Sequence, residues 1–461
     1  MKLFDYLKFY AQTRPNIVAI DNGQRAVTYR ELWMLIIKNK KKLEKEKLSG
    51  SKVIIDSKDQ LKFAIAFLSL LAGNVWVVPI IDDMTEIQVA TLCSEYNIKQ
   101  KLSIDFFQTE VEDVDLDNKL PQELIGQVSG INHMTSGTTG RPKLCIRTAS
   151  DLCQEGEAYG SVLDLKPDDR IMSLSPIGHS YSLGAGLMTA IVSGISLFVT
   201  DHFKPRQAIQ KIQVWNPSII IAVPIMIKLI STSWIESTCH FENLRIALVG
   251  AGPLDLEFQE KFKERFGIYT SSNYGSTETG GIITRIGVGY STSIGVPMPG
   301  VMIKLLDNNN KEVGIEQEGR VFVKVPYGMK GYVNMMTEEI FQDGYLAMGD
   351  IMYRGKNGEY YITGRIKNLI NVGGKKVNPV EVEQVLYKHP DIIDCYVYGK
   401  NKNNGEEAVT ALVVAHSCSE TDIRQFLKQF LKSYQIPSEI LFQSEINRNS
   451  VGKVMKDNIE L

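Results

Sequence analysis

Thr135-Ser136-Gly137-Thr138-Thr139-Gly140-Arg141-Pro142-Lys143 is a run of small hydroxyls and glycines that ends in a cation. Glycine lets backbone come close to an anion, so several N–H groups can converge on one oxygen, and the Ser and Thr hydroxyls add rotatable donors. This is the composition of a loop that cradles phosphates. The spacing is not that of a G-x-x-x-x-G-K-[ST] loop. The glycines are Gly137 and Gly140, the lysine follows a proline, and Leu144 stands where Ser or Thr would be. The expectation is a nucleoside triphosphate handled in a different way.

Outward from this loop, short β-branched runs alternate with segments of helical length. Residues 170–174, 195–200, 218–223 and 245–249 read as buried strands, and 207–215 and 256–266 as amphipathic helices between them. The alternation predicts an α/β fold of stacked, largely parallel sheets. After about residue 280, shorter strands, glycines and turn signals such as Asp307-Asn308-Asn309-Asn310 predict a β-rich subdomain. Beyond Arg365-Ile366-Lys367 a small α+β module is expected, with helices at 380–387 and 421–431 and strands at 393–398, 408–415 and 439–442. A chain of 461 residues exceeds one ordinary core. The expected organisation is a large N-terminal domain, 1–365, with the β-rich part at about 281–365, and a small mobile C-terminal domain, 366–461.

Composition excludes several classes. Apolar residues make up 44% and charged residues 23%, the balance of a globular protein, and a net charge of -2 provides no field for nucleic acid. The six cysteines are scattered, with no C-x-x-C pair, zinc pattern or disulfide framework. Met1-Lys2-Leu3-Phe4-Asp5-Tyr6-Leu7-Lys8 carries charges too early for a signal-peptide core, so a cytoplasmic protein is expected. Residues 63–81 approach the length of a membrane span, yet Gly73-Asn74 interrupts them and Pro79 lies near their end. They read as a buried helix to Ala72, a turn, and a strand at 75–80; no transmembrane segment is expected, and peripheral membrane contact stays open. Lys38-Asn39-Lys40-Lys41-Lys42 is followed by Glu44 and Glu46 and reads as a solvated helix face.

Four further segments belong with the loop. Asn273-Tyr274-Gly275-Ser276-Thr277-Glu278 follows a predicted strand, where open α/β sheets place ligands. Gly349-Asp350 offers a carboxylate to two ribose hydroxyls. Gly364-Arg365-Ile366-Lys367 leads into Gly373-Gly374-Lys375-Lys376-Val377-Asn378-Pro379, and Gly452-Lys453 lies near the C-terminus. Each is weak alone; their order and spacing together are specific.

The set resembles the adenylate-forming superfamily, which contains acyl- and aryl-CoA synthetases, peptide-synthetase adenylation domains and luciferases. The resemblance extends from Ala26-Val27-Thr28-Tyr29-Arg30-Glu31-Leu32 through Gly250-Ala251-Gly252-Pro253-Leu254 to Lys453. It implies adenylation of a carboxylate by ATP with release of pyrophosphate, followed by acyl transfer to a thiol. By resemblance, Thr135, Ser136, Gly137, Thr138, Thr139, Gly140 and Lys143 hold the β- and γ-phosphates. Tyr274, beside Asn273, Gly275 and the backbone of Gly250, Ala251 and Gly252, stacks on adenine. Thr277 bonds the α-phosphate. Glu278, with Thr138, holds Mg²⁺. Asp350 binds both ribose hydroxyls, with Arg365 near the ribose or phosphate, and Lys453 reaches the carboxylate and α-phosphate during adenylation. Lys367 matches the hinge, and Gly374 and Lys375 the path of CoA. His179 and Gly184 match the acyl pocket, where Gly184, Ala185 and Gly186 are expected to leave room for an apolar chain.

AMP is a good leaving group, so the protein has mainly to align the carboxylate with the α-phosphorus and neutralise charge. No nucleophile–base dyad is needed. Amino-acid-activating relatives carry an acid near the position of His179, and residues 178–184 contain none; a buried ammonium without a counter-charge is costly. The first expectation is therefore a medium- or long-chain fatty acid–CoA ligase using ATP, Mg²⁺ and CoA. The second is aryl or amino acid adenylation for a carrier protein's phosphopantetheine, and the third a non-catalytic nucleotide-binding protein. Two departures from the family stand out: Leu144 where Gly is usual, and Met348 where Thr is usual before Gly349-Asp350. Oligomeric state is not legible. Glu381, Glu383, Trp215 and Met226 are expected to be structural.

Overall fold

A computed structural model describes residues 2–80, 84–98, 100–108, 129–135, 143–233, 241–366, 369–372, 375–401, 407–448 and 454. Ser136, Gly137, Thr138, Thr139 and Gly140 of the loop, the hinge Lys367, Gly374 and Lys453 lie outside the described residues. The chain divides into two compact units, Met1–Ile303 with Val323–Leu346, and Lys304–Phe322 with Ala347–Leu461.

The first unit contains two large sheets. One has nine strands in the order Val296–Pro297, Gly280–Arg285, Thr270–Ser276, Ile246–Val249, Ile219–Ala222, Arg170–Ser173, Ser196–Val199, Val18–Asp21, Ala26–Thr28. From Thr270–Ser276 to Val18–Asp21 all neighbours are parallel, and the edges are antiparallel. The parallel strands are apolar on both faces, as in Ile219-Ile220-Ile221-Ala222, where every residue is buried. The second sheet runs Gly331–Tyr332, Lys143–Thr148, Gly130–Thr135, Trp76–Ile80, Lys52–Asp56, Gln100–Leu102.

Helices between the sheets join their cores. Gln60–Ala72 is apolar on all sides, and every residue except Lys62 is buried. The Asp59 carboxylate accepts from the Lys62 N–H at 2.9 Å and caps its start. Asn74, at φ 60°, then turns the chain into Trp76–Ile80, so the long apolar stretch is helix, turn and strand. No helix among the described residues is long and apolar enough to cross a membrane. Tyr29–Lys45 starts at a Thr28/Glu31 capping box and buries Leu32, Trp33, Leu35 and Ile36, while Lys38, Lys41 and Lys42 face outward. One continuous core holds Val53, Val77 and Ile131 from one sheet, Ile171, Leu197 and Ile221 from the other, and Phe63, Phe67 and Tyr159 from the helices. Leu144 is fully buried against a smaller cluster that includes Ile54, Val78, Leu92 and Ile98. Its departure from the family's glycine thus serves packing.

In the second unit, Tyr345–Arg354 pairs antiparallel with Tyr360–Arg365, which sets Asp350 opposite Arg365. The module predicted beyond residue 365 is a three-stranded sheet, Ile392–Asn401, Glu407–Ala415 and Glu439–Phe442, with helices Pro379–Leu386 and Glu420–Leu427. Val382, Leu386, Val397, Ala411, Ile423 and Leu427 form its core. Glu383 accepts from the Val397 N–H at 2.8 Å and Glu381 from the Gln435 amide at 2.8 Å, so both acids are structural. Trp215 and Met226 are buried, as expected.

Two buried polar groups stand out in the first unit. Arg147 and Glu155 are both fully buried, and Arg147 Nη2 lies 2.7 Å from Glu155 Oε2. The same Nη2 donates to the Tyr327 carbonyl at 3.1 Å, and Glu155 Oε1 accepts from the Gly281 N–H at 3.1 Å. His133 is also fully enclosed, with Nε2 2.9 Å from the Gly178 carbonyl. Desolvation pulls its pKa down to about 3, despite that hydrogen bond, and Arg147 and His179 add to the fall.

Each group has a measurable consequence. Glu155→Gln leaves the Arg147 charge uncompensated and is expected to cost about 3–5 kcal/mol, whereas Arg147→Met/Glu155→Leu recovers most of it. All four tryptophans fall within Met1–Ile303, so urea unfolding followed by tryptophan fluorescence reads this unit. For His133, the unfolded chain binds the proton more tightly than the folded one. Stability from this group is therefore full above pH 6.5 and falls by about 1.4 kcal/mol per pH unit from there toward pH 3. His133→Gln should show a shallower loss than the parent between pH 6.5 and 4 in the same unfolding assay; equal slopes would count against the assignment.

Candidate active site

Six elements of the first unit form the site. They are strands β1 (Gly130–Thr135) and β2 (Lys143–Thr148), helix α1 (Ala149–Val162), and strands β3 (Thr270–Ser276), β4 (Gly280–Arg285) and β5 (Gly331–Tyr332). β1 and β2 are antiparallel with Thr135 opposite Lys143, so the two roots of the glycine-rich loop stand side by side. Tyr274 lies within β3, not after it, and Thr277-Glu278-Thr279 is the turn into β4. That turn is tied internally. The Ser276 N–H donates to Thr279 Oγ1 at 3.0 Å, and the Glu278 N–H donates to Ser276 Oγ at 3.2 Å. Gly275 is required by close approach, because a Cβ there would lie 2.1 Å from the Gly280 carbonyl oxygen.

The turn is held on three sides. Ser180 Oγ donates to Thr277 Oγ1 at 3.4 Å, which leaves the Thr277 proton to be donated onward. The Met329 N–H donates to the Glu278 carbonyl at 2.7 Å. The Tyr332 hydroxyl donates to Glu278 Oε1 at 2.8 Å, and the Lys143 ammonium lies 5.1 Å from the Tyr332 ring centroid. Burial, and then the neighbouring Glu278 charge, pushes the Tyr332 pKa far above its ordinary value, so the phenol stays a donor. Among the described residues none hydrogen-bonds Glu278 Oε2. A carboxylate with one oxygen fixed and the other available suits a hard divalent cation held jointly with phosphate oxygens.

The other expected residues fall into three groups. Thr135, Lys143, Thr277 and Glu278 come together, and half-buried His179 immediately precedes Ser180. Gly250, Ala251 and Gly252 follow Ile246–Val249 at the end of a parallel strand. A Cβ at Gly250 would lie 2.6 Å from the ring of Tyr181, whose hydroxyl donates to the Leu248 carbonyl at 3.0 Å. Ala251 has φ 67°, a strained conformation for a residue with a side chain. Asn273 turns inward, with Oδ1 accepting from Tyr159 and Thr284 hydroxyls at 3.1 Å each, so its side chain braces the sheet.

Gly184 corrects an expectation. Residues 184–186 read as room for an apolar chain, yet a Cβ at Gly184 would lie 2.4 Å from the Glu155 carboxyl. The missing side chain makes room for Glu155, not for a ligand.

In the second unit, Arg365 Nε pairs with Asp350 Oδ1 at 2.9 Å, joining the residue assigned to the ribose and the one assigned to the ribose or phosphate. Lys375 is exposed, with its ammonium 4.7 Å from the Tyr434 ring centroid.

Tyr332, Ser180, Arg147 and Glu155 were not singled out from the sequence.

Residues 132–333 match the family model of the AMP-binding enzymes, and residues 381–453 that of the AMP-binding enzyme C-terminal domain. The chain is 29% identical to a 4-coumarate–CoA ligase of Pinus taeda, over 70% of this chain and 64% of that protein. It is 29% identical to a 2-succinylbenzoate–CoA ligase of Bacillus licheniformis, over 76% and 72% respectively. It is 28% identical to a long-chain-fatty-acid–CoA ligase of Yersinia pestis, over 70% and 59%. The match thus spans between 59% and 72% of these relatives' own length. Among solved structures, the o-succinylbenzoate CoA synthetase of Bacillus subtilis with its acyl-adenylate superposes at a TM-score of 0.85 and 23% identity, covering 99% of this chain and 97% of that one. A benzoate CoA ligase from Burkholderia xenovorans LB400 superposes at 0.85 and 20% identity, with 100% of each chain covered. These two likenesses establish the fold. The two family matches together take in more than half of the chain, and the chain belongs to the AMP-binding, adenylate-forming enzyme family.

Proposed function

We propose that this protein is an AMP-forming acid–thiol ligase that joins a carboxylate to AMP, releases pyrophosphate, and passes the acyl group to CoA. The observation that carries the reading is the Thr277-Glu278 turn, with Ser180, Tyr332, Lys143 and Thr135 gathered around it. Thr277, its oxygen already accepting from Ser180, donates its proton to the α-phosphate. Lys143 and the glycine-rich loop hold the pyrophosphate that leaves. The Asp350 carboxylate, braced by Arg365, accepts the ribose hydroxyls, and the Tyr274 ring stacks on adenine. Glu278 and Thr138 are the residues that would hold Mg²⁺, which when bound supplies charge neutralisation across the phosphate oxygens. Lys453 brings positive charge to the carboxylate and α-phosphate, where negative charge concentrates in the transition state. In this reading residues 366–461 form the mobile domain, turning about Lys367 so that Lys453 and then Gly374 and Lys375 serve successive steps. Location in the cytoplasm accords with the unpaired cysteines.

The carboxylate is one without an α-ammonium. Residues 178–184 carry no acid, and the nearby buried carboxylate, Glu155, is already neutralised by Arg147. Within that class a medium- or long-chain fatty acid is the first choice. Aryl acids are the direct competitors, since the similar proteins include ligases of both kinds. A panel of fatty, hydroxycinnamic and benzoic acids, incubated with ATP and Mg²⁺ with and without CoA, should release pyrophosphate and form acyl-CoA with one of these groups. Acyl-AMP formed without any thioester, and then discharged to a carrier protein, would replace CoA by a phosphopantetheine carrier. Lys453→Ala should lower pyrophosphate release by about 100-fold or more while ATP affinity changes little; retained turnover would overturn that residue's role.

A further inference from the structure

We infer that Tyr332 is a positioning residue that fixes the carboxylate of Glu278 and holds it apart from Lys143, and so sets the Mg²⁺-dependent part of nucleotide binding. The inference rests on the ATP-binding reading above.

The position of Tyr332 is imposed by backbone. β5 pairs antiparallel with β2, Tyr332 opposite Cys145 and Gly331 opposite Ile146. Flanking bonds extend the pairing, from the Lys330 N–H to the Ile146 carbonyl and from the Val333 N–H to the Leu144 carbonyl, each at 2.8 Å. The phenol therefore stands on the strand that begins at Lys143. Its hydroxyl donates to Glu278 Oε1 at 2.8 Å. One hydroxyl thus links a strand beside the loop root to the turn on the other sheet.

Charge makes the arrangement informative. Lys143 and Glu278 are opposite charges that both touch this ring, yet no ion pair joins them. Lys143 instead rests near the aromatic face, and Glu278 is held by the hydroxyl. An acid and a lysine left free to meet would pair and neutralise each other, and each would be lost to the triphosphate. The ring engages the lysine and its hydroxyl fixes one carboxylate oxygen, Oε1, leaving Oε2 without a hydrogen bond among the described residues. A hydrogen bond to a charged group is among the stronger kinds, so its loss should be measurable.

The test is ATP binding by titration calorimetry, with the full-length protein, in EDTA and in excess Mg²⁺, for the parent and Tyr332→Phe. Phe keeps the ring, its packing and the Lys143 contact, and removes only the hydroxyl. The expected result is a roughly tenfold or greater loss of the affinity gained on adding Mg²⁺, with affinity in EDTA within about twofold of the parent. Tyr332→Ala, which also removes the spacer, should weaken binding in both conditions. An unchanged Mg²⁺ gain in Tyr332→Phe, or an equal loss with and without Mg²⁺, would overturn the inference. A parent protein that binds no ATP in either condition would overturn the ATP-binding reading and this inference with it.

Discussion

The site depends on one buried ion pair. Arg147 and Glu155 sit where water does not reach, and between them they touch β2, α1, the start of β4 and the segment at Tyr327. Taking two charges out of water is expensive, and only good geometry and further hydrogen bonds return the cost. Here Glu155 uses both oxygens, one for Arg147 and one for the Gly281 N–H. Glycines at 184 and 280 clear the space, since a Cβ at either would come within 2.5 Å of that carboxylate. The turn that carries Thr277 and Glu278 ends on β4, a strand braced in this way, so the placement of a half-buried turn draws on an interior pair.

Around that brace, the fold uses a change of strand direction. The nine-stranded sheet is parallel up to β3 and turns antiparallel at β4, and the Thr277-Glu278 turn lies at that reversal. The second sheet does the same between β1 and β2, where the glycine-rich loop is rooted. Two reversals bring the roots of the glycine-rich loop and a carboxylate-bearing turn together without either lying inside a continuous parallel strand.

Elements governed by local pattern were legible in the sequence. Gln60–Ala72 and its following strand, the four buried parallel strands and the α+β module after 365 all follow from apolar period and turn residues. Motif residues were legible by resemblance, and the structure joins Thr135, Lys143, Thr277 and Glu278, as well as Asp350 with Arg365. What escaped was long-range and polar. Tyr332 reaches Glu278 across 54 positions, and Glu155 reaches Gly281 across 126. No periodicity encodes such a meeting. Gly184 was misread for a related reason: sequence reports that a side chain is missing but not which neighbour occupies the space. Lys453, Lys367 and Gly374 fall outside the described residues, and their roles rest on resemblance.

The contact between Tyr181 and Gly250 has a historical side. The ring occupies the volume that any side chain at 250 would need, so the two positions cannot drift independently. A lineage that gained bulk at 250 would first have to pass through a smaller residue at 181, and the reverse order would meet a clash at once. Tyr181 also adjoins Ser180, which bonds Thr277. Divergence in this corner is therefore ordered, with the ring changing before the backbone wall, and the Thr277 turn experiencing each step.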